Sequence, residues 1–127
     1  MIQETLQGRR VAITGATGFL GTALVERLLR AVPGSELVLV VSDPDAPGGT
    51  FVHWTSWNGA EGTNSFGKTG YSGPCPPRGA APHRYVVTVY LLRRRLGLPA
   101  GSPPEKVLQA VQKLATASGS TTGFYGR

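Results

Sequence analysis

The pattern of apolar residues changes near residue 42. This change predicts a segment with helical periodicity before that point and a segment of strands after it. Of the 10 prolines, only Pro33 precedes residue 42. Before that point, Leu20, Leu24 and Leu28 recur every four residues, which is the spacing of one helical face. After it, the segments FVHWTSW (51–57) and RYVVTVYLL (84–92) are rich in β-branched and aromatic residues and predict strands. The sequence therefore predicts a mainly β (α+β) fold behind a short α/β unit.

A helix is predicted near the end of the chain, within SPPEKVLQAVQKLA. Ser102 is expected to cap it, and Glu105 would complete a capping box. One face of the helix is apolar and is formed by Val107, Leu108, Val111 and Leu114. Between the two predicted strands, residues 58–82 are rich in Gly, Pro, Ser and Asn, and loops of this length are usually functional.

The composition argues against several structural features and partners. The single cysteine, Cys75, excludes an internal disulfide and a multi-cysteine metal site. The net charge is +6, but apart from Arg93–Arg95 the basic residues are scattered, so we expect no nucleic-acid partner. No apolar run approaches the roughly 20 residues of a membrane span, and the start lacks the apolar core of a secretion signal. We therefore expect a cytoplasmic protein with no integral membrane segment.

A glycine-rich loop marks the first part of the chain. VAITGATGFLG places Gly15, Gly18 and Gly21 between a predicted strand and a predicted helix, and Asp43 follows the next apolar strand. Residues 1–41 resemble the N-terminal NAD(P)-binding β-α-β unit of extended short-chain dehydrogenases. The resemblance implies a Rossmann-like unit with the glycines around a pyrophosphate and Asp43 on the ribose of NAD or NADP. No tyrosine lies four residues before a lysine, so the catalytic pair of those enzymes is absent.

Three segments of the second part occur in a characteristic order: DPDAPGGTFVHW, FGKTGYSGPCPPRG and HRYVVTVY. Together they resemble the phosphatidylethanolamine-binding protein family, in particular its bacterial and archaeal Raf-kinase-inhibitor-like branch, over residues 36–127. The resemblance implies a β-sandwich with a small anion-binding pocket at one end. The first strands of that family have no counterpart here, so the sandwich is expected to be incomplete. Residues 36–41 would be a strand shared between a unit at 1–41 and a unit at 42–127.

The resemblance also implies which residues form the pocket. By position, they are Asp43, Asp45, His53, Gly73, Pro74, His83 and Tyr85. The residue types agree with this role, because a carboxylate near two histidines favours cationic rings that can donate to a phosphate. Strict alternation in FVHWTSW would place His53 on the same face as Phe51, Thr55 and Trp57.

The predicted function is non-enzymatic binding of a small anionic ligand or phospholipid headgroup, with no cofactor and no metal. The alternative is an NAD(P)-binding fragment of a reductase. Asp43, His53 and His83 could also form a two-histidine, one-carboxylate metal triad. Cys75 is interpreted as a loop cysteine rather than a nucleophile beside His83. A protein partner at the arginine run 93–95 and a homodimer remain open.

Overall fold

Residues 34–127, the part of the chain that the computed structural model describes, form one antiparallel sheet and one helix. The elements in chain order are β1 (Glu36–Asp43), β2 (Phe51–Trp57), β3 (Ala60–Glu61), β4 (His83–Leu92), α1 (Pro104–Leu114) and β5 (Ala115–Tyr125). The strands lie in the order β3-β2-β1-β4-β5, and all of their pairings are antiparallel. The predicted mainly β fold and the predicted late helix are therefore confirmed.

The central strand, β1, is apolar on both faces. Val38 and Val40 point to the face that α1 covers, where they are 0% and 3% exposed. Leu37, Leu39 and Val41 point to the opposite face and line a groove. Because successive residues of a strand point to opposite faces, the near-continuous apolar run gives β1 an apolar surface on both sides, and Leu37 and Leu39 on the groove side are half-buried.

Helix α1 completes the core on the first face. Its buried residues Val107, Val111 and Leu114 pack in one cluster with Val38, Val40 and Leu92 of the sheet. Each fully buried aliphatic side chain of this kind contributes about 1.5–3 kcal/mol. The predicted capping box was wrong, because the helix begins one residue later than expected. Pro103 is the N-cap without a side-chain cap, and Ser102 Oγ donates to the Pro99 carbonyl at 2.6 Å instead.

The alternation predicted for β2 was also wrong. The register between β1 and β2 shifts between Val41 and Ser42, which pair with Trp54 and Val52, so His53 is an extra residue in a β-bulge. Val52 therefore joins the helix-side core, and His53 is buried towards the other side of the sheet. The bulge turns the histidine towards the end of the sheet.

The predicted division at residue 41 falls within β1, and the glycine loop with its Rossmann-like unit lies outside the described residues. The second sheet of the predicted sandwich does not occur in residues 34–127, which hold a single five-stranded sheet. Within the same residues, no helix combines the length and apolar character that a bilayer span requires.

Candidate functional site

A cavity of about 180 Å³ lies where β1 ends and β4 begins. Three titratable residues that are far apart in the sequence meet here: Asp43, His53 and His83. All three are buried, with 4%, 3% and 7% of their surface exposed. The rest of the wall is mostly apolar and includes Pro47, Phe51, Phe66, Cys75, Pro76 and Pro77.

Asp43 positions the second histidine and the loop after β1. Its Oδ2 accepts a hydrogen bond from Nδ1 of His83 at 2.7 Å. Its Oδ1 accepts from the backbone N–H of Asp45 at 2.8 Å, which closes the turn of the Asp-Pro-Asp loop. Both carboxylate oxygens therefore have protein partners, and the buried side chain is fixed between His83 and the loop.

His53 is held by the loop that follows β3. Its Nδ1 lies 2.8 Å from the carbonyl oxygen of Ser72, and the backbone N–H of Ser72 donates to the His53 carbonyl at 3.1 Å. Around the ring, Phe51, Phe66 and Tyr85 make tilted or edge-on contacts, with centroid distances of 5.0, 5.7 and 5.5 Å. The imidazole is therefore fixed both in position and in orientation.

The partners of the two rings also determine where each ring carries its proton. A carbonyl oxygen and a carboxylate oxygen both accept, so Nδ1 is the N–H in His53 and in His83. Among residues 34–127, no hydrogen bond engages Nε2 of either ring. A neutral Nε2 accepts a hydrogen bond, and a protonated Nε2 donates one.

The loop at 76–79 forms one wall of the cavity and is held by the end of the chain. Arg127 Nε donates to the Pro76 carbonyl at 2.9 Å, and the Arg127 carbonyl accepts from the Gly79 N–H at 3.0 Å. The sequence predicted a role for Gly73, Pro74 and the backbone of residues 73–77. Of these, Cys75, Pro76 and Pro77 line the cavity, and Gly73 and Pro74 do not.

The other residues predicted for the pocket lie beside it. Gly73 is exposed, and Pro74 and Tyr85 line the groove on the sheet face, which shares His53 with the cavity. Tyr85 is buried, and this burial, followed by the negative charge of Asp43, raises the pKa of its phenol. Asp45 lies outside the cavity and pairs with Arg84 at 2.7 Å.

The Asp45–Arg84 pair determines one part of the response to acid. Hydrogen bonds from the side chain and then the backbone N–H of Arg84 lower the pKa of Asp45 from 3.8 to about 2. A carboxyl whose folded pKa is lowered stabilises the fold above its unfolded pKa and loses that contribution as the pH falls towards the folded value. The pair therefore favours folding above pH 3.8, and this contribution disappears by about pH 2.

We expect Asp45→Asn to flatten the pH dependence of stability between these two values. The effect is modest, because the two side chains are 32% and 51% exposed and solvent screens them. Urea denaturation at about pH 5 and about pH 2.5 measures it, and the midpoint of the wild type should fall further than that of the variant. Equal decreases in both proteins would contradict this assignment.

The metal alternative finds no support in the described region. Residues 34–127 contain no group of three His, Cys, Asp or Glu side chains arranged to hold a metal ion. In the described residues, both oxygens of Asp43 instead accept hydrogen bonds, one from His83 and one from the loop backbone.

Comparison with known proteins identifies the family of the chain. Residues 23–126 match the family model described as phosphatidylethanolamine-binding protein, and this match begins after the three glycines of the first loop. The reductase alternative receives no support from the comparisons.

Two relatives and two solved structures define the similarity. A UPF0098 protein of Pyrococcus abyssi is 37% identical over 72% of this chain and 64% of its own length. LppC of Mycobacterium tuberculosis, named as a candidate lipoprotein, is 37% identical over 72% of this chain and 53% of its own length. The chain thus spans less than two-thirds of either relative.

The solved structures show the same fold. A candidate phosphatidylethanolamine-binding protein homologue from Chlamydia trachomatis superposes with a TM-score of 0.65 and 31% identity, covering 72% of each chain. YbcL of E. coli, described as a member of the mammalian family, gives 0.68 with 27% identity and covers 76% of each chain. On the family match, the relatives and the fold together, the chain belongs to the phosphatidylethanolamine-binding protein family.

Proposed function

We propose that the chain binds a small phosphate-type anion, such as a phosphate monoester or a phospholipid headgroup, in the cavity between β1, β2 and β4. One observation carries this proposal: two buried imidazoles line one cavity, and both use Nδ1 for fixed protein partners. Nε2 of each ring is therefore the nitrogen that would form a hydrogen bond with the ligand. The description of the matching family supports the same ligand class.

The size and the walls of the cavity favour a small ligand. Drug-sized molecules occupy pockets of about 300–1,000 Å³, whereas this cavity has about 180 Å³. That volume suits a headgroup and excludes a dinucleotide. Because the walls are largely apolar, an anion here is screened less than at the surface, which strengthens its attraction to a protonated ring.

Binding without turnover is the simplest activity of such a site. Cys75 is the only thiol in the cavity wall, it is exposed, and no hydrogen bond joins it to either histidine within residues 34–127. A nucleophile would need such a base within reach. The cytoplasmic location, a homodimer and a protein partner at residues 93–95 stay predictions.

Isothermal titration calorimetry with inorganic phosphate and with O-phosphoethanolamine tests the proposal. Loss of one charge-assisted hydrogen bond costs about 1.5–3 kcal/mol, so we expect His53→Ala and His83→Ala each to weaken binding about tenfold or more. Arg84→Ala is the matched control, because it removes a cationic side chain next to His83 that is exposed and bonded to Asp45.

Circular dichroism of each variant shows whether it remains folded. Unchanged affinity in both folded histidine variants would refute the assignment. The same conclusion would follow if neither anion bound the wild type in a saturable manner.

A further inference from the structure

One buried amide organises the loop that follows β3. Asn64 lies between β3 and β4, and only 2% of its surface is exposed. Its Nδ2 donates to the Gly70 carbonyl and to Oγ of Ser72, both at 2.9 Å. Its Oδ1 accepts from the backbone N–H groups of Phe66 and Lys68 at 3.0 and 3.2 Å. An amide side chain has two N–H donors and an oxygen with two lone pairs, so its whole hydrogen-bonding capacity is used within the loop.

The donor side of this amide acts on the segment that contacts His53. Ser72 accepts the Asn64 hydrogen bond through its side chain, and its carbonyl oxygen lies 2.8 Å from Nδ1 of His53. The second donor contact, with the Gly70 carbonyl, fixes the chain two residues earlier. The peptide unit that accepts from the imidazole is therefore oriented by a side chain that lies outside the cavity wall.

The acceptor side of the amide acts on an aromatic neighbour of the same ring. The hydrogen bond from the Phe66 N–H closes a turn of the kind that Asn side chains form with the backbone two residues on. The Phe66 ring lines the cavity, with its centroid 5.7 Å from that of His53 and 4.6 Å from that of Phe51. Asn64 thus holds two of the groups that surround His53.

The same turn is attached to β2 directly beside the bulge. The Ser65 N–H donates to the Val52 carbonyl, and Ser65 Oγ accepts from the Val52 N–H, both at 2.8 Å. Val52 precedes His53, the extra residue of the bulge. The loop organised by Asn64 therefore reaches the histidine by three routes, which are the strand, the aromatic ring and the carbonyl of Ser72.

We propose that Asn64 is a positioning residue for the anion site, because it holds the Ser72 carbonyl and the Phe66 ring that orient His53. Without the donor side of the amide, Nδ1 of His53 loses its fixed acceptor, so the ring turns and its proton is shared with Nε2. The effect of Asn64 on ligand binding rests on the proposed function, whereas its effect on the ring does not.

The test variant is Asn64→Asp combined with Ser72→Ala. The carboxylate keeps the two acceptor contacts with the N–H groups of Phe66 and Lys68, so the turn is retained. On the other side it places an oxygen opposite the Gly70 carbonyl, where a donor is needed. Ser72→Ala is included because the serine hydroxyl would otherwise reverse its direction and donate to the carboxylate.

The tautomer of the histidine rings is the readout, measured on neutral rings by long-range proton–nitrogen correlation NMR. The chain has two histidines, so both are followed in one spectrum. In the wild type we expect the Nδ1–H form in both rings. In the test variant His53 should become a mixture of the Nδ1–H and Nε2–H forms. His83 should keep the Nδ1–H form, because Asp43 holds it independently of the loop.

Asn58→Asp in the same Ser72→Ala background is the matched control. Asn58 is exposed in the turn between β2 and β3, and this variant retains the Asn64 contact with the Gly70 carbonyl. It should keep His53 in the Nδ1–H form. An unchanged His53 ring in the folded test variant would overturn the proposal. If circular dichroism shows that the test variant is unfolded, Asn64→Asp alone is judged by the same criterion.

Calorimetry with inorganic phosphate measures the consequence for binding. We expect the test variant to weaken binding severalfold, but by no more than His53→Ala does. Adding His53→Ala to the test variant should cause little further loss, since both changes act through one ring. Additive losses would overturn the positioning role. If the wild type binds no phosphate, the proposed function fails, and the tautomer of His53 alone decides the role of Asn64.

Discussion

Replacing Gly62 with alanine should destabilise the fold by about 3 kcal/mol, the upper end of the usual cost of overpacking. A Cβ at this position would collide with Oγ1 of Thr55 and would lie 3.0 Å from the Ser102 carbonyl oxygen and 3.2 Å from the Trp57 ring. The backbone has little freedom to move away. The Gly62 N–H donates to the Thr55 carbonyl at 3.0 Å, and the Gly62 carbonyl accepts from Gly70 at 3.1 Å.

Urea denaturation measures this effect, and Gly48→Ala is the matched control. A Cβ on Gly48 meets nothing within 4 Å, so that variant should be close to wild type in stability. Thr55→Ala should partly rescue Gly62→Ala, because it removes the hydroxyl in the closest contact, which is buried without a hydrogen-bond partner among the described residues. If Gly62→Ala were as stable as Gly48→Ala, the packing described for this loop would be incorrect.

Asp43→Ala is expected to cost about 2–4 kcal/mol of stability. The variant leaves two donors without their acceptor, the Nδ1–H of His83 and the backbone N–H of Asp45. Each buried donor without a partner costs about 1–3 kcal/mol, and release of the carboxylate from its buried position offsets part of the sum.

Thermal or urea unfolding near neutral pH measures this loss, and Asp45→Ala is the control. It makes the same substitution two residues away, where the carboxylate is exposed to solvent and pairs with Arg84. Its effect should be much smaller, because solvent screens such a pair. The double variant Asp43→Ala/His83→Leu should lose less stability than the two single variants added together. Strict additivity would show that the Asp43–His83 contact contributes nothing.

Much of the fold could be predicted from the sequence, because the relevant signals are local. The apolar run at 37–41 and the alternating segments at 51–57 and 84–92 all lie in strands, and the stripe from Val107 to Leu114 lies in the helix. Residues such as Val and Leu in these patterns favour one kind of element wherever the chain places them.

The details of the site could not be predicted in this way, because they depend on pairing between distant segments. The position of His53 is set by a bulge, and the bulge exists only because β1 and β2 pair with a shifted register. Ser72 contacts His53 across 19 positions of sequence. The separation of Asp45 from the cavity depends on Arg84, which lies 39 positions away. The resemblance supplied Asp43, His53 and His83 as a set, and the structure places the three around one cavity.

Two hydrogen bonds join Ser72 and His53, one through the imidazole and one through the backbone. They connect the path of the loop with the tautomer of the histidine ring. The carbonyl of Ser72 fixes which nitrogen of the imidazole bears hydrogen, and the carbonyl of His53 in turn anchors the loop at that point. An insertion or deletion between Gly62 and Ser72 would therefore alter the hydrogen bond that orients the His53 ring, as well as the loop itself. In this protein, the length of a loop helps to decide which of two ring nitrogens faces outward from the backbone that holds it.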